Sequence, residues 1–133
     1  MRLALKIVGI IVGLFVLVTL VQVAASESGE VVVVTSKDTN GEDQETRLWV
    51  VDHEGSAWLR SGSEDSGWVQ RLLANPSVTV KRGDTAYNAT AVADKAAATT
   101  INRLVNEKYG WADDFIGLTV GGWDNSIAFR LER

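Results

Sequence analysis

The chain has 133 residues, which suits one domain with one core. Its net charge is −4, but Arg2 and Lys6 are the only charges before Glu27, so the remainder carries 11 basic and 17 acidic residues. That acidic balance excludes nucleic acid as the partner and electrostatic adhesion to anionic lipid, and the lack of cysteine excludes disulfides, thiol nucleophiles and cysteine metal sites.

Residues 7–21 are apolar except for Thr19, and Gln22 interrupts before Val23, Ala24 and Ala25. A membrane-spanning helix needs roughly 20 such residues. A signal peptide needs a basic start, a shorter apolar stretch and small residues at the cut. The segment satisfies both descriptions, and the length of the apolar run favours the anchor. Residues 1–25 are therefore read as a transmembrane anchor or signal segment, residues 26–29 as a linker and residues 30–133 as the domain. Membrane contact runs through residues 3–25. Basic residues precede the segment and the next is Lys37, so positive-inside bias places residues 26–133 on the non-cytoplasmic side. Cleavage near Ala25 would instead give a secreted or periplasmic domain.

The valine run in residues 30–37 predicts a strand covered on both faces. Residues 38–45 form a polar loop with an Asn40-Gly41 turn signal. Residues 47–51 and 56–61 read as a hairpin around the turn at 52–55. Over residues 67–75 the period changes: Trp68 with Leu72 and Val69 with Leu73 are helical pairs, capped by Asp65 or Ser66 and ended by Asn75-Pro76. Val78 and Val80 alternate with polar residues, Gly83-Asp84 turns the chain, and residues 85–93 return as a strand. Asp94 caps a second helix whose apolar stripe includes Ala97, Ile101, Leu104 and Val105, with Gly110 just past its end. Residues 111–123 are a glycine- and aromatic-containing connection with no assignable element. Ile127, Phe129 and Leu131 mark a closing strand. The sum is an α+β domain: about six mainly antiparallel strands with two helices, closing as a small barrel after an N-terminal transmembrane or signal helix.

The segment Trp68-Val69-Gln70-Arg71-Leu72-Leu73-Ala74-Asn75-Pro76-Ser77-Val78-Thr79-Val80 resembles the deazaflavin-dependent nitroreductase group, one of the flavin-binding split β-barrels that also include the pyridoxamine-phosphate oxidases. The hairpin Leu48-Trp49-Val50-Val51-Asp52, Gly55, Trp58-Leu59-Arg60-Ser61 is similar to the same group. The resemblance covers roughly residues 41–109. It implies a split β-barrel that binds FMN or a deazaflavin (F420-type) in a groove, often across a homodimer, and acts as an oxidoreductase. It places the groove near Thr46, Arg47, Trp49, Arg60 and Ser61, with Trp68 beside it. The loop that holds phosphate in the family corresponds to residues 40–45, which contain no basic residue; Gln44 stands where the family commonly has an arginine.

The residues themselves offer two kinds of ligand contact. Arg47 and Arg60 can present guanidinium forks to an anion, or pair on the surface with Glu45 or Asp52. Trp49, Trp58 and Trp68 can stack on a planar ligand, or fill a core or dimer interface. His53 reads as a solvated turn residue, Asp113-Asp114 as a solvated helix end, and no metal site is expected. No serine has a histidine in a triad arrangement. Two functions follow: a membrane-tethered or exported flavin- or deazaflavin-dependent oxidoreductase, or a non-catalytic module binding a small molecule or a protein. Arg60→Ala is expected to lower ligand affinity without unfolding the domain.

Overall fold

The computed structural model describes residues 1–27, 29–120 and 122–133. Ser28, in the expected linker, and Gly121, in the connection left unassigned, lie outside the described residues. Helix α1 (Arg2–Ser26) is long and apolar enough over residues 2–25 to cross a membrane, a property that a signal sequence shares. Its apolar side chains are exposed on all sides until the last turns. Thr19 donates its hydroxyl to the Phe15 carbonyl at 2.9 Å, which keeps the polar group satisfied within an apolar helix.

Six strands follow: β1 (Val31–Lys37), β2 (Asp43–His53), β3 (Ser56–Ser61), β4 (Ser77–Arg82), β5 (Thr85–Asp94) and β6 (Ile127–Glu132). They close as a barrel in the order β1-β2-β3-β6-β5-β4, every neighbouring pair antiparallel. The valine run differs from expectation. It is not covered on both faces: Val32, Val34 and Ser36 point into the barrel while their neighbours are half-exposed, the ordinary period-2 pattern of an antiparallel strand. β2 is also longer than its apolar core suggests. The Asp38 carboxylate accepts from the Asn40 and Glu42 amides and makes a tight turn, so polar residues from Asp43 onward pair with β1.

Helix α2 (Gly67–Ala74) lies between β3 and β4 and drives Val69 and Leu72 into the barrel core beside Phe129, Leu59 and Val80. Helix α3 (Ala98–Tyr109) covers the outer barrel face, where Ile101, Val105 and Tyr109 pack on Val51, Trp58 and Ala128. Gly110 ends it at φ 57°, and the chain restarts at once as α4 (Trp111–Val120), a third helix beside the barrel beyond the two expected. Periodicity missed α4 because its apolar residues lie on both sides and its two acids fall in the first turn, where they suit the helix dipole.

Tyr109 clasps α3 to the sheet. Its hydroxyl donates to the Glu30 carbonyl and accepts from the Val50 amide, and its ring stacks on Trp49 with centroids 4.2 Å apart. Beside it, Glu30 accepts from Arg82 at 2.9 and 3.0 Å and from Lys108 at 2.7 Å, joining the start of β1 to β4 and α3. These donors, Arg82 first, lower the Glu30 pKa from 4.5 to about 2. Because the folded value is depressed, the contribution of Glu30 to stability is complete above 4.5 and disappears as the pH falls toward about 2. Thermal melts of the full chain in detergent should therefore show Glu30→Gln less stable than the parent at neutral pH, with the gap closing across that acid interval. A gap that stays constant with pH would mean that the carboxylate charge is not what stabilises this corner.

Candidate functional site

The barrel wall opens between β2 and β3. The two strands pair only where residues 50–53 face residues 56–59; earlier β2 residues pair with β1, and Arg60 and Ser61 pair with β6. Strand alternation sends Arg47 and Trp49 to the outer face of β2 and Arg60 to the outer face of β3. Leu48 and Trp68, which belong to the barrel core, show through the opening. The result is a groove with a cavity volume of about 340 Å³, floored by these residues and Ser61 and walled by Ile116 of α4 and by Trp123.

Five of the six residues expected at the site thus line one groove: Arg47, Trp49, Arg60, Ser61 and Trp68. Thr46 does not. It points to the inner side of β2, where its hydroxyl accepts from Arg71 Nη2 at 3.1 Å, while Arg71 Nε donates to the buried Ser36 hydroxyl at 3.1 Å. Arg71 therefore brings a guanidinium from α2 to the start of β2. The resemblance puts a basic residue near this point, and Gln44 instead donates to Asp38.

The two groove arginines are both neutralised, by partners other than those expected. Arg47 makes a fork to Glu27, with contacts of 2.8 and 2.7 Å, rather than pairing with Glu45 or Asp52; Asp52 is taken by Arg82. Arg60 donates through Nη2 to Asp113 at 2.6 Å, and both side chains are buried, at 5% and 2% exposure. Asp113 is thus no solvated helix end. It also accepts from Asn106 at 3.1 Å, so its two oxygens are both bonded. Burial pushes the Arg60 pKa down and the Asp113 contact opposes that shift.

Trp123 lies over Arg60, 3.6 Å from guanidinium carbon to ring centroid. Two glycines make room for it: a Cβ on Gly62 would stand 2.7 Å from its ring, and one on Gly117 would stand 2.8 Å from its Nε1. Another guanidinium nitrogen of Arg60, Nη1, is buried and has no hydrogen-bond partner among the described residues. A buried donor left this way costs free energy, so an acceptor brought to it by a ligand gains more than one met in water. Ile116 and Trp123 were missed by sequence reasoning, and Asp113 was misread, because all three belong to the stretch left unassigned; the sequence signal there was its spacing of aromatics and glycines. Trp123 also borders a larger cleft of about 750 Å³. That cleft is lined by Glu64, Asp65 and Asp124 with a single cation, Lys95, which suits an aromatic or anionic ligand less well than the groove does.

No known family profile matches the sequence. No curated protein matches it either. Solved structures do. An F420-H2 dependent reductase superposes with a TM-score of 0.60 at 21% identity, over 77% of this chain and 93% of the other. A pyridoxamine 5′-phosphate oxidase-like protein from Listeria innocua gives 0.57 at 16%, over 82% and 87%. The heme storage protein HutZ from Vibrio cholerae gives 0.59 at 14%, over 82% and 84%. The fold is a split barrel. A further split-barrel neighbour, 20% identical with a TM-score of 0.60, is a domain-swapped dimer.

The buried pair changes what Arg60→Ala tests. Removing the guanidinium strands the Asp113 carboxylate in the interior, so the variant should lose about 3–5 kcal/mol of stability. Arg60→Met combined with Asp113→Leu, which removes both charges and keeps the volume, should recover most of that loss in a urea titration. An Arg60→Ala chain as stable as the parent would show that the pair contributes nothing to holding α4 on the barrel.

Proposed function

We propose that this chain is a membrane-tethered split-barrel oxidoreductase that binds a flavin or deazaflavin ring in the groove between β2 and β3, with residues 30–133 on the non-cytoplasmic side. One observation carries the reading: Arg60, whose buried Nη1 has no hydrogen-bond partner among the described residues, lines an apolar groove together with Trp49 and Trp68. A planar ring with carbonyl oxygens fits such a lining. Its faces meet indole, and one oxygen takes the open donor.

A bound flavin or deazaflavin would supply hydride or electron transfer. The chain's own residues would bind and orient it. Arg60 is held in place by Asp113 and by the Trp123 ring, so its guanidinium needs no further ordering. Ser61 sits at the edge of the groove with its hydroxyl donating to the Ser63 carbonyl at 2.7 Å. Arg71 is the cation nearest Thr46, and its hydrogen bonds go to hydroxyls rather than carboxylates, so it is the residue best placed to meet a phosphate at that end. Residues 40–45 cannot serve there, because they contain no basic residue, their acids repel a phosphate, and the adjoining Lys37 is paired with Asp43. A homodimer, as in related split barrels, is part of this proposal.

A second reading, a non-catalytic binding module on the same fold, is favoured by Trp123, which already covers Arg60 from the groove side. Titration of the purified full chain with FMN and with a deazaflavin, followed by absorption and by flavin fluorescence, separates the two. The oxidoreductase reading expects saturable binding and about tenfold weaker affinity in Trp49→Leu, the equivalent of roughly 1.4 kcal/mol of lost ring contact. No binding of either cofactor would leave the module as the surviving description.

A further inference from the structure

Helix α4 has two unlike faces. At helical spacing Trp111, Phe115 and Leu118 fall on one side, while Ala112, Asp113 and Gly117 are buried on the other. The outward side is apolar and open: Trp111 is 61% exposed and Leu118 84%. Such a row of large apolar side chains on a small domain marks a contact surface.

Its position indicates what covers it. Helix α1 packs against α4, and burial within α1 is confined to its last turns, where Ala25 is fully buried. Lys6 is the last charge before the apolar run, and the roughly 20 residues needed to cross the hydrocarbon, counted from Ile7, end at Ser26. The turn that touches α4 is therefore the turn that leaves the lipid. Tryptophan is enriched at that depth, where its ring meets acyl chain and headgroup together. α4 has no basic residue, and its exposed acid, Asp114, accepts from Asn106, so the face offers apolar area and no attraction to anionic headgroups.

We propose that the Trp111–Phe115–Leu118 face of α4 lies in the headgroup layer of the bilayer that α1 spans, as a second membrane contact that fixes the barrel's orientation. The contact is apolar and indifferent to lipid charge. The inner side of the same helix supplies Asp113 to Arg60 and Ile116 to the groove, so the contact seats the groove's α4 wall at the membrane surface. The proposal rests on the tethered reading of α1.

The chain has no cysteine, so single-cysteine variants can be spin-labelled without background. The full chain in phosphatidylcholine nanodiscs would carry the label in Leu14→Cys, Trp111→Cys, Leu118→Cys or, as an aqueous reference, Asp84→Cys. All four positions are exposed in the structure, so the substitutions leave the core untouched. Collision rates with oxygen and with a water-soluble nickel complex report immersion. Oxygen should dominate at 14, 111 and 118 and nickel at 84, with 111 and 118 shallower than 14 and unchanged when phosphatidylglycerol is added. Oxygen at 14 with nickel at 111 and 118 would leave the tether standing and overturn the α4 contact. Nickel at 14 would overturn the tether and the contact with it. Labels at 111 and 118 shielded from both reagents, with spin–spin broadening at full labelling, would assign the face to a second copy of the chain and likewise overturn the proposal.

Discussion

Arg60 and Asp113 are the hinge of this structure's logic. One belongs to a barrel strand and the other to a helix added outside the barrel, and they meet at 2.6 Å in an almost fully buried setting. Each charge would be costly there without the other. The pair thus constrains α4 to one position against β3, and α4 in turn fixes the wall of the groove. Asn106 from α3 completes the second carboxylate oxygen, so three elements depend on one acid. Nη1 of Arg60 is buried there without a hydrogen-bond partner among the described residues.

The electrostatics of the site follow from how its cations are matched. Arg47 and Arg60 both face carboxylates, so neither contributes net charge to a ligand. A groove of this kind selects by shape, ring contact and one directed hydrogen bond rather than by long-range attraction. The net negative charge of the chain reinforces that selection, because an anionic ligand must approach against it. Arg71 is the exception at the far side of β2, bonded only to hydroxyls.

The barrel itself rests on ordinary packing. Two apolar clusters lie on either side of one sheet, the inner one closed by α2 and the outer one by α3. Tyr109 links them by reaching from the outer cluster to the backbone of β2 and of the segment before β1. The opening between β2 and β3 arises because β2 changes partner from β1 to β3 partway along, while Arg60 and Ser61 of β3 pair only with β6, and this divergence exposes Leu48 and Trp68. The same strand exchange that closes the barrel therefore creates the groove.

Local chemistry was enough to read most of the fold. Valine alternation, the Gly55 and Gly83 turns, the stop at Asn75-Pro76 and the cap at Gly110 each act within a few residues, so the sequence alone placed six strands and two helices and, through the segment from Trp68 to Val80, the split-barrel type. Of the six residues it named for a site, five line one groove and Thr46 does not. What it did not contain was partner identity. Arg47 pairs with Glu27, twenty positions away, and Arg60 with Asp113, fifty-three positions away. No periodicity links such residues, since a long-range ion pair is set by which surfaces the packed elements bring together. Thr46 illustrates the same limit: its position along β2 was legible, but its inward orientation toward Arg71 depended on the register that the barrel imposed. α4 and Trp123 were decided by tertiary structure alone, because a helix whose inner face meets a buried arginine need not look amphipathic in sequence.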